Sequence, residues 1–335
     1  MITIKKRLFL IIICFFVVCL TASLFIKRTY TKAEYDIFDT ICQITVTDRK
    51  DNTEKYMQML RLIDEELDAF NIDSAVYKLN NDGEANFTES TFRHLLKAID
   101  YSKVIPQYFD ITLNPVSSLW NDAIESEMIP DSIENSRELI GIENILTDNT
   151  TNTAKITKDG ASVTFGATAK GYATKAVLDE IIKDKVKSAL INLGGNIYAH
   201  GTKPDGSLWT VGIANPTNTA TSAVTIECKD LAVITSGDYE RYFEKDGKRY
   251  HHIIDPETLM PADSGIHSAT AIGKDPELCD IMSTALFVAG VDGAKELITE
   301  YGIDAILITD DTVYCTKGVK ALIKDVDENY TLSIL

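Results

Sequence analysis

An uncharged apolar stretch at the amino terminus, Leu8–Ile26, restricts the fold of this chain more than any other feature. Its 19 residues are long enough to cross a bilayer as a helix. Basic residues precede it at Lys5–Arg7 and follow it at Lys27–Arg28, and this balance favours a cytoplasmic amino terminus with an exported body. We therefore predict a membrane anchor or signal segment over residues 1–28 and an extracytoplasmic folded domain over 35–335, attached to the cell membrane.

Two alternatives remain for this segment. The first is a cleaved signal peptide, for which Thr21–Ser23 is a weak small-residue cleavage site. The second is a lipoprotein, because Cys14 and Cys19 lie within the stretch; Phe16–Val18, however, lacks the small residues that normally precede a lipid-attachment cysteine. We expect a single-pass anchor that is retained.

The charge of the body limits its partners. The chain has 33 basic and 50 acidic side chains and a net charge of −17. The first 28 residues hold five basic residues and no acidic one, so the body carries −22. Such a surface argues against nucleic-acid binding, and it implies a divalent cation if the body handles phosphates. The body's cysteines have no CxxC spacing, which favours buried thiols over a zinc site or disulfides: Cys42, Cys228, Cys279 and Cys315.

The spacing of apolar residues predicts an α+β fold of mixed sheets with flanking helices, because helices and strands alternate without a steady βαβ rhythm. A polar tether is expected at Thr29–Glu34, and the polar stretch near 147–160 is a candidate boundary between two lobes. The predicted helices are Glu54–Phe70, Phe92–Val104, Ala169–Lys183, Pro276–Ala289 and Gly293–Tyr301. The predicted strands are Ile41–Thr47, Ala189–Leu193, Trp209–Ala214, Ala223–Glu227, Ala232–Thr235, His267–Ile272 and Ala305–Thr309.

Two glycine-containing stretches suit the close approach of a ligand. Gly166–Tyr172 is a small-residue turn that enters a helix, where free backbone amides and Lys170 suit a phosphate. Asn192–Asn196 ends a strand with paired glycines that allow another backbone or a ligand to come near. Each stretch taken alone is also compatible with an ordinary tight turn.

A third stretch combines Ser236–Phe243 with His251–Pro256 through a predicted hairpin turn at Lys245–Lys248. The hairpin is expected to bring His252 towards Ser236 or Asp238. A serine hydrolase is disfavoured, since Ser236 does not lie in a GxSxG elbow.

The fourth stretch, Asp280–Phe287, has helical spacing and places Asp280 and Thr284 four residues apart on one face. A carboxylate and a hydroxyl form a hard-oxygen pair that suits Mg²⁺, completed by carbonyls, water and phosphate. A helix cap with a solvated face is the alternative.

Taken in order, the motifs resemble the ApbE family of FAD:protein FMN transferases over roughly residues 35 to 310. The resemblance also rests on Phe38–Thr40, Asp73-Ser74, Leu79-Asn80, Phe109–Thr112 and Leu119-Trp120. It implies a Mg²⁺-dependent, exported and often membrane-attached enzyme that splits FAD, joins FMN to a threonine or serine of a partner protein, and releases AMP. The implied partner is an exported flavin-accepting subunit of an electron-transfer complex.

The resemblance also implies site residues. The metal would sit on Asp280, Thr284 and the backbone carbonyl of Ala167, and either His252 or Asp238 would position or deprotonate the acceptor hydroxyl. FAD contacts are implied at Phe70, Tyr108, Phe109, Asp110, Thr164 and Lys170. The chain departs from the family pattern where Thr164 replaces a frequent acidic residue, Asn196 a frequent Asp and Leu259 a usual Gly.

Three other functions stay open at this point. An FAD pyrophosphatase would use the same metal site with water as the acceptor. A flavin-binding protein without transferase activity needs no metal ligands, so the presence of Asp280 and Thr284 counts against it. Self-flavinylation at Gly265–Thr270 is disfavoured, because this stretch is a core strand in the family.

Overall fold

The computed structural model describes residues 27–335, and the predicted anchor Leu8–Ile26 lies outside them. Within the described range, none of the helices combines the length and the apolar character that a bilayer crossing needs. The anchor therefore stays a prediction.

The body is built on a nine-stranded sheet whose strands are, in spatial order, β1 Arg28–Ile37, β2 Thr40–Asp48, β6 Ser188–Leu193, β7 Asn196–Gly201, β10 Leu231–Gly237, β13 Ser268–Gly273, β14 Asp304–Ile308, β15 Thr312–Cys315 and β17 Thr331–Ile334. Neighbouring strands pair antiparallel except β15 and β17, which run parallel.

Three smaller sheets surround it. β8 (Trp209–Asn215), β9 (Asn218–Cys228) and β16 (Ile323–Val326) form one sheet, and β11 (Tyr242–Lys245) pairs with β12 (Lys248–His251) as a hairpin. The third joins β3 (Glu84–Asn86), β4 (Ile145–Asp148) and β5 (Thr153–Ile156).

The helices are α1 Thr53–Leu67, α2 Ala75–Asp82, α3 Glu89–Val104, α4 Asn114–Ser126, α5 Ala169–Lys183, α6 Pro276–Tyr301 and the short α7 Lys317–Lys320. All except α4 and α7 contribute to the main core on one face of the large sheet, whereas Val319 of α7 belongs to the core on the opposite face and α4 packs in a separate cluster. Side-chain oxygens of Ser74 and Thr88 accept hydrogen bonds from the first turns of α2 and α3. Asp275 caps α6, which begins with Pro276. These starts follow ordinary capping chemistry.

Alternation along the strands separates two cores. On β10, Ala232 and Ile234 face the main core beneath the helices, whereas Val233 faces a second core shared with the β8–β9–β16 sheet. A third cluster contains Trp120 of α4 and Phe243 of the hairpin, and Tyr250 stacks on both of their rings. The large sheet is thus buried on both faces, and its helix-covered face carries the site described below.

The predicted mixed fold is confirmed, with three differences in detail. Thr29–Glu34 is not a tether but part of β1, which hydrogen-bonds along β2. The sequence interpretation missed α2 and α4, and it also missed the strands β3–β5, β7 and β15–β17. The two helices predicted after Pro276 are one element with a kink at Gly290, whose φ of 69° interrupts the helix.

The polar stretch near 147–160 includes β5, the central strand of the small sheet, which pairs with β4 on one side and β3 on the other. The division into two lobes stays a prediction. The four cysteines of the body are buried and free, as expected.

Candidate active site

Three of the four motifs meet at the carboxylate of Asp280, which is only 4% exposed. The backbone N–H of Gly171 donates to Oδ2 at 2.6 Å, and the side-chain amide of Asn196 donates to Oδ1 at 2.9 Å. Burial raises the pKa of Asp280, while the nearby Lys170 charge and both hydrogen bonds oppose the rise. The helix α5 start, the β6–β7 turn and helix α6 are therefore joined at one buried acid.

The remaining motif reaches the same place through hydroxyl groups. Ser236, near the end of β10, lies 2.9 Å from the Ser283 hydroxyl and 3.3 Å from the Thr284 hydroxyl. Ser283 in turn donates to the backbone carbonyl of Asp280 at 2.8 Å. The strand that leads to Asp238 is thus fastened to the turn of α6 that holds Asp280 and Thr284.

The close approach of α5 to α6 depends on glycine at position 171. A Cβ there would lie 2.5 Å from Asp280 Cβ and 2.5 Å from the carbonyl oxygen of Pro276. Both distances are far below van der Waals contact, so a larger residue would separate the helices. This contact sets Lys170 and the turn containing Ala167 beside Asp280.

The donor set around Asp280 suits a hard cation. Among residues 27–335, no group of three or more His, Cys, Asp or Glu side chains is placed to hold a metal ion. Each Asp280 oxygen accepts one hydrogen bond and keeps a free lone pair. A single carboxylate with neutral hydroxyl and carbonyl oxygens fits Mg²⁺, which keeps water or phosphate as its other ligands.

The predicted hairpin is present, and His252 follows its second strand directly. His252 Nδ1 lies 3.3 Å from the carbonyl oxygen of Arg241; since a carbonyl only accepts, Nδ1 carries the proton and Nε2 is left as an acceptor. Desolvation, with help from the charges of Arg241 and Lys170, lowers the pKa of His252 to about 3. The imidazole is therefore neutral near pH 7.

Asp238 is held differently from His252. Its Oδ1 accepts from Arg249 at 3.0 Å and its Oδ2 accepts from His267 at 2.7 Å. The hydrogen bond to Asp238, and a second one to Asp310, raise the pKa of His267 against the effect of burial. Both oxygens of Asp238 are occupied, so it links β10 to the hairpin and to His267, and His252 hydrogen-bonds Arg241 instead.

The segment expected to contact FAD forms a wall continuous with the Gly166 turn. Phe109 is buried, Tyr108 is half-buried, and the carboxylate of Asp110 accepts from the backbone N–H (2.7 Å) and the hydroxyl (2.6 Å) of Thr112. Burial raises the pKa of Asp110. The backbone N–H of Thr164 donates to the carbonyl of Ile111 at 2.8 Å, which ties Thr164 to this segment.

Phe70 lies apart from Asp280, on the rim of a cleft of about 190 Å³. Its ring is 85% exposed, and Asn80, Asn114 and Ser162 line the same cleft. The Asn80 amide hydrogen-bonds both backbone groups of Val163, so the cleft adjoins the Thr164 segment.

The sequence interpretation missed how several residues take part. Asn196 was noted only as a departure from the family pattern, and Gly171 only as part of the Gly166–Tyr172 turn. Ser236 was considered only as a nucleophile. Their contacts with Asp280 and Thr284 join residues up to 109 positions apart, so no local pattern marks them.

The model of the ApbE family matches residues 38–307. The chain belongs to the ApbE family. The FAD:protein FMN transferase of Treponema pallidum (strain Nichols) is 29% identical to it over 332 residues, 91% of each chain. The FAD:protein FMN transferase of Klebsiella pneumoniae (strain 342) is 36% identical over 212 residues, which span 62% of this chain and 65% of that protein.

Solved structures agree with this assignment. The ApbE protein of Thermotoga maritima superposes with a TM-score of 0.80 at 28% identity, covering 89% of this chain and all of that one. The flavinyl transferase ApbE of Pseudomonas stutzeri, at 24% identity, has a TM-score of 0.77 and supports the fold alone. The predicted family, the ApbE-like fold and the predicted transferase class are confirmed for this ApbE-family chain.

Proposed function

We propose that this chain transfers FMN from FAD to a threonine or serine hydroxyl of an exported protein, in a Mg²⁺-dependent reaction that releases AMP. The observation that carries the proposal is the convergence of three separate motifs on the buried carboxylate of Asp280, with the fourth joined to the same turn of α6 through the hydroxyls of Ser236 and Ser283. The relatives' names supply the substrate and the transferred group.

Asp280, the Thr284 hydroxyl and the Ala167 carbonyl would hold the Mg²⁺. When bound, Mg²⁺ would offset the negative charge of the FAD pyrophosphate, which otherwise repels an incoming oxygen. Lys170 would add a fixed positive charge next to the same phosphates. The strong net negative charge of the body makes these cations the main attraction for an anionic substrate.

The rest of FAD would lie along the wall formed by Tyr108–Asp110 and Thr164. The exposed ring of Phe70 is available for stacking on the flavin, since stacking needs only an aromatic face. Thr164 offers a hydroxyl where an acidic residue is frequent in relatives, so it can donate a hydrogen bond as well as accept one.

His252 is the group we assign to the acceptor hydroxyl. Its free Nε2 can accept a hydrogen bond from that hydroxyl, which then attacks the phosphorus on the riboflavin side. As the new oxygen–phosphorus bond forms, the bond to AMP breaks and the hydroxyl proton passes to Nε2. A base with so low a pKa takes the proton late, so orientation of the hydroxyl is the larger part of its role.

Asp238 is assigned a positioning role instead of a basic one. Acting as a base would require it to give up hydrogen bonds to Arg249 and His267 while buried. It keeps the hairpin that precedes His252 attached to β10.

We further propose that Leu8–Ile26 is retained as a single-pass anchor with the body outside the cytoplasm. The uncharged stretch and its basic flanks support this. Intact-mass analysis of protein extracted from membranes tests it: full-length chain is expected, and a chain lacking residues 1–22 or carrying a lipid on Cys19 would contradict it.

The reaction is tested by incubating the chain with FAD, Mg²⁺ and co-encoded exported proteins. We expect a mass increase of one FMN on a threonine or serine of an acceptor, together with AMP, and neither with a chelator present. AMP without a modified acceptor would indicate the pyrophosphatase, and FMN on this chain itself would indicate self-flavinylation.

A further inference from the structure

A buried histidine outside the motifs connects the two elements that supply the proposed metal ligands. His94 lies on α3, and its side chain is 1% exposed. Its Nδ1 is 3.0 Å from Oε1 of Glu277 in the first turn of α6. Its Nε2 is 3.0 Å from the hydroxyl of Thr168, the residue between Ala167 and α5.

The Glu277 end of this contact is fixed to α6. Lys97, one turn after His94 on α3, lies 3.0 Å from Glu277 and 3.0 Å from Asp275, which caps the helix. Burial opposes the charge on Glu277, but the hydrogen bond from His94 and the Lys97 charge lower its pKa to about 2. Because the ionised carboxylate only accepts, the proton on Nδ1 points towards Glu277.

The Thr168 end is fixed to the turn that contains Ala167. Thr168 is buried, and its hydroxyl also lies 3.3 Å from the carbonyl oxygen of Phe165, at the start of that turn. The His94 ring stacks on Tyr172 of α5, with ring centres 4.5 Å apart and planes 11° apart. The imidazole is therefore held by packing as well as by hydrogen bonds.

We propose that His94 is a positioning residue that fixes the distance between the Ala167 turn and helix α6, and thereby the spacing of the Mg²⁺ ligands. The proposal rests on the function proposed above. Ala167 and Asp280 come from separate elements, and the Thr168–His94–Glu277 chain is a rigid link between them. Hydrogen-bond partners behind metal ligands typically change metal affinity by about 10- to 100-fold when removed.

The experiment compares Mn²⁺ binding by the FAD-saturated full chain, followed through the loss of the free-ion EPR signal. The variants are His94→Gln, Thr168→Val and Thr168→Ser, with Asp280→Asn as the variant that lacks the ion site. His200→Gln is the matched control, because His200 also hydrogen-bonds through Nε2, but it lies near the end of β7 opposite Asn196 and its partner is the carbonyl oxygen of Val186, before β6. FAD binding in a chelator is measured for every variant.

We expect His94→Gln and Thr168→Val to weaken Mn²⁺ binding about 10-fold, with FAD affinity in chelator changed less than about twofold. Thr168→Ser, which keeps the hydroxyl, should restore wild-type Mn²⁺ binding. Should His94→Gln fail to fold, the Thr168 pair decides the question, since valine matches threonine in shape and lacks only the hydrogen bond.

Three results would overturn the proposal, each in a different way. In the first, Thr168→Val and His94→Gln both bind Mn²⁺ as tightly as wild type while Asp280→Asn does not bind it. This result would remove the role of His94 and leave the proposed function intact. A wild-type chain that binds Mn²⁺ no better than Asp280→Asn removes the metal assignment, and this inference with it. An equal loss in His200→Gln would reduce the effect to general destabilisation and also overturn the proposal.

Discussion

The side-chain amide of Asn196 donates a hydrogen bond to the carboxylate of Asp280 across 2.9 Å. Asn196 begins β7 and Asp280 lies in α6, so the bond fastens the sheet to the helix at the buried acid. Because the Asn196 amide and the Gly171 backbone N–H are both neutral, Asp280 carries the only formal charge in this hydrogen-bonded group. Replacing this neutral donor with an acid therefore tests how the charge of the site affects the fold and the metal.

Asn196→Asp should place two carboxylates at hydrogen-bond distance, where both cannot be ionised without cost. We expect the free energy of unfolding at neutral pH to fall by about 1–3 kcal/mol, with part of it regained when Mg²⁺ is added. Urea denaturation with and without Mg²⁺ measures this. Asn192→Asp is the control, because Asn192 accepts a hydrogen bond from Gly195 that an aspartate also accepts; an equal loss there would contradict the explanation.

Asp280→Asn should lower the Mg²⁺-dependent turnover rate by about 100-fold or more. The asparagine oxygen can accept from Gly171, and the Asn196 amide can rotate to accept from the new amide, so the fold should persist. Thr284→Ala should cost less, about 10-fold, because a neutral hydroxyl gives the ion less than a carboxylate. Initial rates over a magnesium titration measure both, and a folded Asp280→Asn chain with wild-type rates would rule out the metal assignment.

The strands and helices with clear apolar periodicity were predictable from the sequence, and β1 shows why others were not. Most of its residues are exposed or half-buried on both faces, so it has no alternating apolar signal. Its extended form comes from pairing with β2, which is a tertiary effect. α4 was missed although Pro115 at its start is a recognisable helix signal.

The site was predictable as a set of motifs but not as a set of contacts. Asp280 and Thr284 could be paired by helical spacing because they lie on one element. The partners of Asp238 could not be inferred in this way: Arg249 and His267 reach it through the hairpin and a neighbouring strand. Sequence reasoning therefore left His252 and Asp238 as equal alternatives, and their different hydrogen bonds support the roles proposed for them.

His252→Ala should slow FMN transfer by about 100-fold and change FAD affinity by less than about twofold. The pKa of about 3 means that His252 stays neutral as pH falls from about 8 to 5, so its protonation should not reduce the rate there. Transfer rates across this range, in wild type and variant, measure the effect. An inflection in the rate at about pH 6.5 that is present in wild type and absent in His252→Ala would show that the imidazole titrates normally.

His267 should make stability depend on pH through its contacts with Asp238 and Asp310. Its pKa is raised in the folded state, so its stabilising effect is complete below the unfolded value of about 6.5 and is lost as pH rises through the folded value. His267→Gln should therefore lose more stability at about pH 6 than at about pH 9. Urea denaturation at both values measures this.

Asp310→Asn serves as the control for His267, because the Asp310 side chain is 95% exposed and its ion pair should contribute little. An equal pH dependence in the Asp310 variant would place the effect in that exposed pair. No difference between the two pH values for His267→Gln would mean that Asp238 does not hold the charged imidazole.

Gly171→Ala tests whether close packing of α5 on α6 builds the site. The added methyl group would lie 2.5 Å from both Asp280 Cβ and the Pro276 carbonyl, and backbone at that distance cannot move aside as a side chain can. We expect the free energy of unfolding to fall by about 1–3 kcal/mol and the apparent Mg²⁺ affinity to fall with it, because Lys170 and the Ala167 turn would shift away from Asp280.

Gly195→Ala is the matched control for Gly171→Ala. The φ of +95° at Gly195 strains any other residue, but a Cβ there has nothing within 4 Å. That variant should lose stability by about 1 kcal/mol and keep its Mg²⁺ affinity. A Gly171→Ala chain with unchanged Mg²⁺ affinity would show that the positions of the proposed Mg²⁺ ligands do not depend on the contact between α5 and α6.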